Sequence, residues 1–298
     1  MNVSILILTH NEAANLPACL DALTWCDDIL VIDSGSTDGT VEIGRQRGAR
    51  ILTRPFDDFA GQRNFGLDVG NFRHDWVLHL DADEIVTDEF LAALRALPET
   101  DAFDAWRVPF KTIFFGKWLE HAGMWPTYQV RLGHAQRLRF IQVGHGQRED
   151  LPPERVGEFP EALLHYSFSH GLRRWLDKHV RYAADEAAVI TGEPRQPGSL
   201  KAMLFGADGT TRRRGAKALA AGLPLFARPP ARFLYVYLLR RGFIDGGPGF
   251  VYAVMLSVYE AMIALLVYEA RRGASHNRVP GGLSATSSRP DKESVSAR

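Results

Sequence analysis

The sequence is poor in cysteine: two in 298 residues, Cys19 and Cys26. That number excludes a disulfide framework and fits a reducing cytosol, with a buried spacer the expected role of each. Neither sign of charge is in excess, because 35 Lys and Arg balance 35 Asp and Glu. A neutral total leaves no general footprint for nucleic acid, and no such partner is expected, although a local basic patch stays open. The opening residues "MNVSILILTHNE" lack a basic n-region and a small-residue cleavage site, so they are expected to form a first strand and not a signal peptide. No internal repeat is present. The last stretch, from Gly273, is almost without large apolar residues and is expected to be disordered.

What is present suits a globular chain. A hydrophobic fraction of 46% and 298 residues allow one large domain with appendages, or two small ones. "VSILILT" (3–9), "DDILVID" (27–33) and "DWVLHLD" (75–81) are apolar runs of strand length, the last two ending in a carboxylate. Helical stretches are expected between and after them, over 12–24 with Asn11 as cap, over 38–47 and over 60–68. Uniformly apolar strands alternating with helices predict an α/β fold with a mostly parallel sheet covered on both faces. Ligands bind such sheets outside the carboxyl ends of the strands, so the loops after Thr9, Asp33 and Asp81 should share one rim.

Beyond residue 100 the pattern changes. Residues 103–119 and 129–143 look like longer strands with glycine-bearing turns, and 165–190 opens as a strand and becomes an amphipathic helix. "FVYAVMLSVYEAMIALLVY" (250–268) approaches the roughly 20 residues of a membrane span. Glu260 at its centre is costly in lipid. "ARFLYVYLLRRGF" (231–243) is apolar but too short to cross. Basic residues from Lys201 to Arg272 crowd around both, which predicts a module lying on the cytoplasmic leaflet with its cations at anionic headgroups. A helical subdomain packed on the core is the plainer alternative.

The chemistry concentrates in "LHLDADE" (78–84), where Asp81, Asp83 and Glu84 crowd together. Carboxylates so close raise one another's pKa unless something positive intervenes. Three readings stand: a solvated strand end with Asp88 or a neighbour capping the next helix, a phosphatase-type aspartate nucleophile, or a divalent-metal site for a nucleotide diphosphate.

"ILTHNEAANLPACLDAL", "ILVIDSGSTDGT", "FAGQRNFGL" and "LHLDADE" follow one another in order. Together they resemble the nucleotide-sugar-binding half of the family 2 glycosyltransferases, inverting enzymes of the GT-A fold, over roughly residues 1–110. "FFGKWL", "LLHYSF" and "RRGFIDGGPGF" are similar to the lipopolysaccharide-core glucosyltransferase branch of bacterial envelope enzymes. The resemblance implies a nucleotide-binding half at 1–110, an acceptor half at 111–195, a membrane-associated helical module at 196–272 and a tail at 273–298. It implies Mg²⁺ or Mn²⁺ on Asp83 and Asp81, a nucleotide-sugar donor such as UDP-glucose, and a glycolipid or glycan acceptor.

Residue by residue, Thr9, Asn11, Glu12, Asp33, Arg63 and Asn64, with Gln62 beside them, would line the donor pocket. The chain has Asp33-Ser34 where many relatives carry two aspartates. Glu149, with Asp150 second and His145 as orienting partner, would supply the base; an exposed turn with Arg148 paired to Asp150 is the alternative. Trp125, Tyr128 and Arg131 would form the acceptor wall, although aromatics beside Pro126 could equally be packing. His165 is open between a diphosphate role and a structural one. Two other activities share these features: sugar transfer to a polyprenyl phosphate, and binding of a nucleotide sugar without catalysis.

Overall fold

The computed structural model describes residues 1–98, 102–123, 125–143, 146–192 and 223–272. His145, most of the basic segment around 201–217 and the tail lie outside them. The chain divides into two compact units, residues 1–180 with 229–259, and 181–228 with 260–298.

The first unit is built on one mixed sheet. Four strands, β1 (Ser4–Thr9), β2 (Ile29–Asp33), β3 (Arg50–Thr53) and β4 (Trp76–Asp81), run parallel in the order β3-β2-β1-β4. Their registers pair Thr9 with Asp33, Asp33 with Thr53 and Leu8 with Asp81, so the expected rim is formed. Beyond β4 the direction alternates. β8 (Thr127–His134) lies antiparallel to both β4 and β6 (Ala105–Phe114). β12 (Leu163–His165) follows parallel to β6, and β5 (Glu84–Ile85) closes the edge antiparallel to β12. β7 (Lys117–Trp118) and β11 (Val156–Glu158) add to β6. β6 crosses residue 110 without a break, so donor and acceptor halves share one sheet.

Helices cover both faces. Leu16, Cys19 and Leu20 of α1 (Leu16–Asp21) and Phe90 and Leu94 of α4 (Asp88–Ala96) pack with Ile5, Ile7 and Val31 in one core cluster. Ala60 and Leu67 of α3 (Phe59–Val69) pack with Leu6, Leu30 and Ile32 in the other. Strands buried on two faces must be apolar at successive residues, which is why these runs do not alternate.

Several boundaries differ from the sequence expectation. α1 occupies 16–21 and not 12–24, because residues 11–15 form a turn in which Asn11 has φ 55° and Pro17 suits only a first helical turn. α2 runs Thr40–Gln46. β3 was not anticipated, since four residues at the sheet edge with two of them polar give little signal. α4 is capped, within the expectation, by Thr87, the neighbour of Asp88; the Thr87 hydroxyl accepts from the Phe90 N–H (3.2 Å). The stretch 129–143 is two strands, since the chain turns at 135–139 before β9 (Phe140–Val143), which pairs with β10 (Gly146–Glu149) in a separate hairpin.

After β12 comes α5 (Gly171–Gly192). α6 (Arg228–Leu234) leads through a π-turn at 235–239 and a 3₁₀ turn at 242–245 into α7 (Gly246–Arg272). Within the first unit, Phe114, Leu119 and Ala122 share a third core with Val236, Ala253 and Met255.

Candidate active site

The positive charge beside the carboxylate cluster is supplied by two buried arginines. Arg63, projecting from α3 and 1% exposed, donates to Asp81 Oδ1 at 2.7 Å. Arg131, from β8 and 2% exposed, donates through Nη2 to Asp81 Oδ2 and to Glu84 Oε1, both at 2.6 Å. Glu84 closes the loop by accepting the Asp81 N–H at 3.0 Å. Burial acts to raise the Asp81 carboxyl, but Arg131 and Arg63 outweigh it and hold the group well below the carboxylate range. Glu84, fully buried, is pushed upward by that burial in spite of Arg131. Burial, with Arg131 nearby, draws Arg63 down to about 10. Arg131, expected on the acceptor wall, is buried, and its guanidinium meets both Asp81 and Glu84.

Asp83 is situated differently. Among the described residues its side chain has one polar partner, His165 Nε2 at 3.5 Å, while its backbone carbonyl accepts the Tyr166 N–H at 2.9 Å. Burial would depress the His165 imidazole, but Asp83, Glu84 and Asp81 together raise it. β12 brings the histidine here by pairing His165 with Glu84.

The first two loops are laced together. Asp33, 1% exposed, accepts from Thr9 Oγ1 (3.0 Å), Ser36 Oγ (2.5 Å), Ser36 N (2.8 Å) and Gly35 N (3.0 Å). Both oxygens are committed to shaping the loop after β2. Asn11 accepts the Thr37 N–H (2.8 Å), and its own N–H donates to Ser36 Oγ (2.8 Å). Glu12 faces residues that follow β12: His170 Nε2 at 2.9 Å and Arg174 at 3.8 Å, with Asn15 donating to it at 2.6 Å. Gln62 is buried, donating to Ser34 Oγ (3.2 Å) and Arg54 O (3.0 Å). Asn64 clasps Phe140 with both ends of its amide, 2.8 and 2.9 Å, fixing the β9–β10 hairpin to α3.

Glu149 is the register partner of Phe140, and directly opposed residues face the same side. Phe140 packs there on His79 (5.2 Å) and 6.0 Å from the Arg63 guanidinium. Asp150 follows as an exposed residue whose N–H closes the hairpin on Arg139 O at 2.8 Å. Among the described residues no hydrogen bond or ion pair joins Glu149 or Asp150 to Asp81 or Asp83. Trp125 meets Trp118 edge to face at 5.3 Å, and the exposed Tyr128 lies 5.7 Å from the Arg107 guanidinium.

Three participants were not anticipated from sequence. Glu84 was seen only as part of an acidic run, His79 only as part of a strand, and Asp245 only as part of "RRGFIDGGPGF". A carboxylate flanked by apolar residues in a segment otherwise without acids is the one signal that could have marked Asp245.

Residues 4–146 match the family described as Glycosyl transferase family 2. The chain is 27% identical over 298 residues to the lipopolysaccharide core biosynthesis glycosyltransferase LpsC of Rhizobium meliloti, covering 95% of this chain and 97% of that one. It is 36% identical over 88 residues to an uncharacterized glycosyltransferase of Rickettsia felis, covering 29% of this chain and only 30% of the relative. Among solved structures it is similar to Staphylococcus aureus TarS 1-349, with TM-score 0.40, 15% identity, and 93% and 92% of the two chains covered. It is also similar to glucosyl-3-phosphoglycerate synthase from Mycobacterium tuberculosis in complex with Mn²⁺, UDP and glucosyl-3-phosphoglycerate, with TM-score 0.41, 15% identity, and 55% and 72% covered.

Proposed function

We propose that the protein transfers a hexose, with inversion, from a nucleotide sugar such as UDP-glucose to a lipopolysaccharide-core or related envelope glycan. The observation that carries this is the division of labour at 81–84. Asp81 is immobilised by two arginines, whereas Asp83 presents a carboxylate with one partner.

The donor set suits a divalent cation. Asp83 offers a hard oxygen, and each Asp81 oxygen keeps a lone pair beyond its arginine. Among the described residues no group of three or more His, Cys, Asp or Glu is set to hold an ion alone, so diphosphate and water would complete its shell. A bound Mg²⁺ or Mn²⁺ supplies Lewis-acid stabilisation of the departing diphosphate. The chain's own residues do the rest. Arg131 and Arg63 fix Asp81, which would hold the ribose or a water. Asn11, Thr9 and Glu12 shape the nucleotide pocket, and Asp33 keeps its floor in place.

Glu149 would take the proton from the acceptor hydroxyl, a step typically worth ~10²–10⁴ in rate. Its position opposite Phe140, on the side where that ring meets Arg63, favours it over Asp150.

The acceptor would be reached at the cytoplasmic membrane leaflet. The segment 242–272 is long and apolar enough to cross a bilayer, with only 28% of its most apolar window buried. Leu238, Leu239, Phe243, Ile244 and Phe250 are exposed beside Arg241 in the first unit, as for a surface that dips into lipid.

The test is nucleotide release from a panel of UDP-, GDP-, CDP- and dTDP-sugars with truncated lipopolysaccharide as acceptor. Acceptor-dependent release with a UDP-hexose is the expected result. Tight UDP binding with no release for any acceptor would favour a silent binder.

A further inference from the structure

On the acceptor side, residues 117–123 and Trp125 meet the 240–246 segment of the same unit, and the contact is organised by Asp245. This carboxylate is 3% exposed and accepts the His121 N–H at 3.0 Å and the Ala122 N–H at 2.7 Å. Its other oxygen faces His121 Nδ1 at 3.1 Å. A carboxylate oxygen accepts, so Nδ1 donates and Nε2 is the ring atom left for a ligand. The approach depends on glycine: a Cβ on Gly249 would stand 2.1 Å from Gly242 O and 2.8 Å from Asp245 Cβ.

Hydrogen-bond donors collect around this contact. Lys111 Nζ lies 5.1 Å from the Trp118 ring centroid, and Trp118 meets Trp125. Arg240 Nη2 donates to Trp125 O at 3.2 Å, but Arg240 Nε and Trp118 Nε1 are buried without an acceptor. Lys117 Nζ has Ile244 O at 3.4 Å. Among the described residues none of Lys111, Lys117 and Arg240 forms an ion pair. The acids nearby are Asp245, already committed, and the exposed Glu89 and Glu120; the Glu89 carboxyl is held below its usual value by hydrogen bonds from its own backbone N–H and from Thr87, with Lys111 adding to them at longer range. Buried donors without acceptors are costly and call for a ligand rich in oxygen.

The segment also begins close to β12 along the sheet. Thr112 of β6 pairs with His165, and its carbonyl accepts the Leu119 N–H at 2.9 Å, so the group starts about two strand spacings, roughly 10 Å, from the His165–Asp83 contact.

We propose that this is an acceptor subsite for an anionic sugar, one carrying a carboxylate or a phosphate. The sugar ring would lie on Trp118 and Trp125 and the anion on Lys111 and Arg240, with His121 Nε2 at a neighbouring oxygen. The proposal rests on the glycosyltransferase reading.

The experiment titrates glucuronate, glucose 6-phosphate and glucose into the full-length protein saturated with UDP and Mn²⁺. At least one anionic sugar should bind tenfold or more tightly than glucose, and the two anions separate carboxylate from phosphate. Lys111→Ala and Arg240→Gln should each weaken that binding fivefold or more with UDP affinity unchanged. Equal binding of all three sugars overturns the subsite, as does an anion preference that survives in Lys111→Ala, whose side chain has no structural hydrogen bond to lose. A wild-type protein that binds no UDP overturns the donor reading itself, and the acceptor subsite with it.

Discussion

Arg131 reaches Asp81 from beneath the sheet rim, donating at 2.6 Å while only 2% exposed, and the same nitrogen holds Glu84. Removing it would leave the fully buried Glu84 without its cation and Asp81 with Arg63 alone. Breaking a buried pair from one side costs about 3–5 kcal/mol, so Arg131→Met should lower stability by that order in chemical denaturation. Adding Glu84→Gln to that variant should restore part of the loss, a coupling that a double-mutant cycle measures. Wild-type stability in Arg131→Met would contradict the bracing role.

Glu149→Gln should reduce transfer by about 10²-fold or more while UDP affinity stays within twofold, because the amide cannot take the acceptor proton. The parallel variant Asp150→Asn should be nearly silent. Unchanged turnover in Glu149→Gln would point to a polyprenyl phosphate acceptor, which needs no strong base.

Asp104 gives a pH-dependent stability term away from the site. Arg155 donates two hydrogen bonds to it, at 2.7 and 2.8 Å, and Arg137 adds a third contact at 2.8 Å. Arg155 above all holds its carboxyl below the usual value. A depressed folded-state pKa means that the unfolded chain takes up the proton first. The contribution is therefore complete above the unfolded value of about 3.9 and is lost as pH falls through the folded one. Asp104→Asn should cost about 1–3 kcal/mol at neutral pH, a range held down by the partly exposed arginines, and should flatten the acid limb of the stability curve. An acid limb identical to wild type would exclude the role.

The exposed apolar edge at 238–250 should govern lipid binding. Leu239→Ser with Phe243→Ser should reduce sedimentation with anionic vesicles severalfold and leave nucleotide binding intact. Equal sedimentation would remove this edge from the membrane reading.

Much of the parallel half was legible because its signals are local. Strands buried on two faces are apolar throughout, and parallel registers oblige Thr9, Asp33 and Asp81 to share a rim. The site was legible only by residue type. That 81–84 required a positive partner followed from charge alone, but the two arginines come from 18 residues before Asp81 and 50 after it. Spacing cannot reveal a pairing made by sheet register. Asp33 illustrates the converse: its place at the strand end was readable, but three hydrogen bonds from its own loop depend on a backbone path that the sequence does not display. Asn64 likewise looks like a ligand contact until β9 is seen to occupy its amide. The break between β8 and β9 was missed because the turn at 135–139 carries no glycine or proline.

The most direct test is calorimetric titration of UDP, with and without Mn²⁺, into the wild-type protein and Asp83→Ala. Binding in the wild type should strengthen at least tenfold with Mn²⁺, and that gain should vanish in the variant while the fold is retained. UDP binding that ignores both Mn²⁺ and Asp83 would contradict the assignment of the cation to this carboxylate.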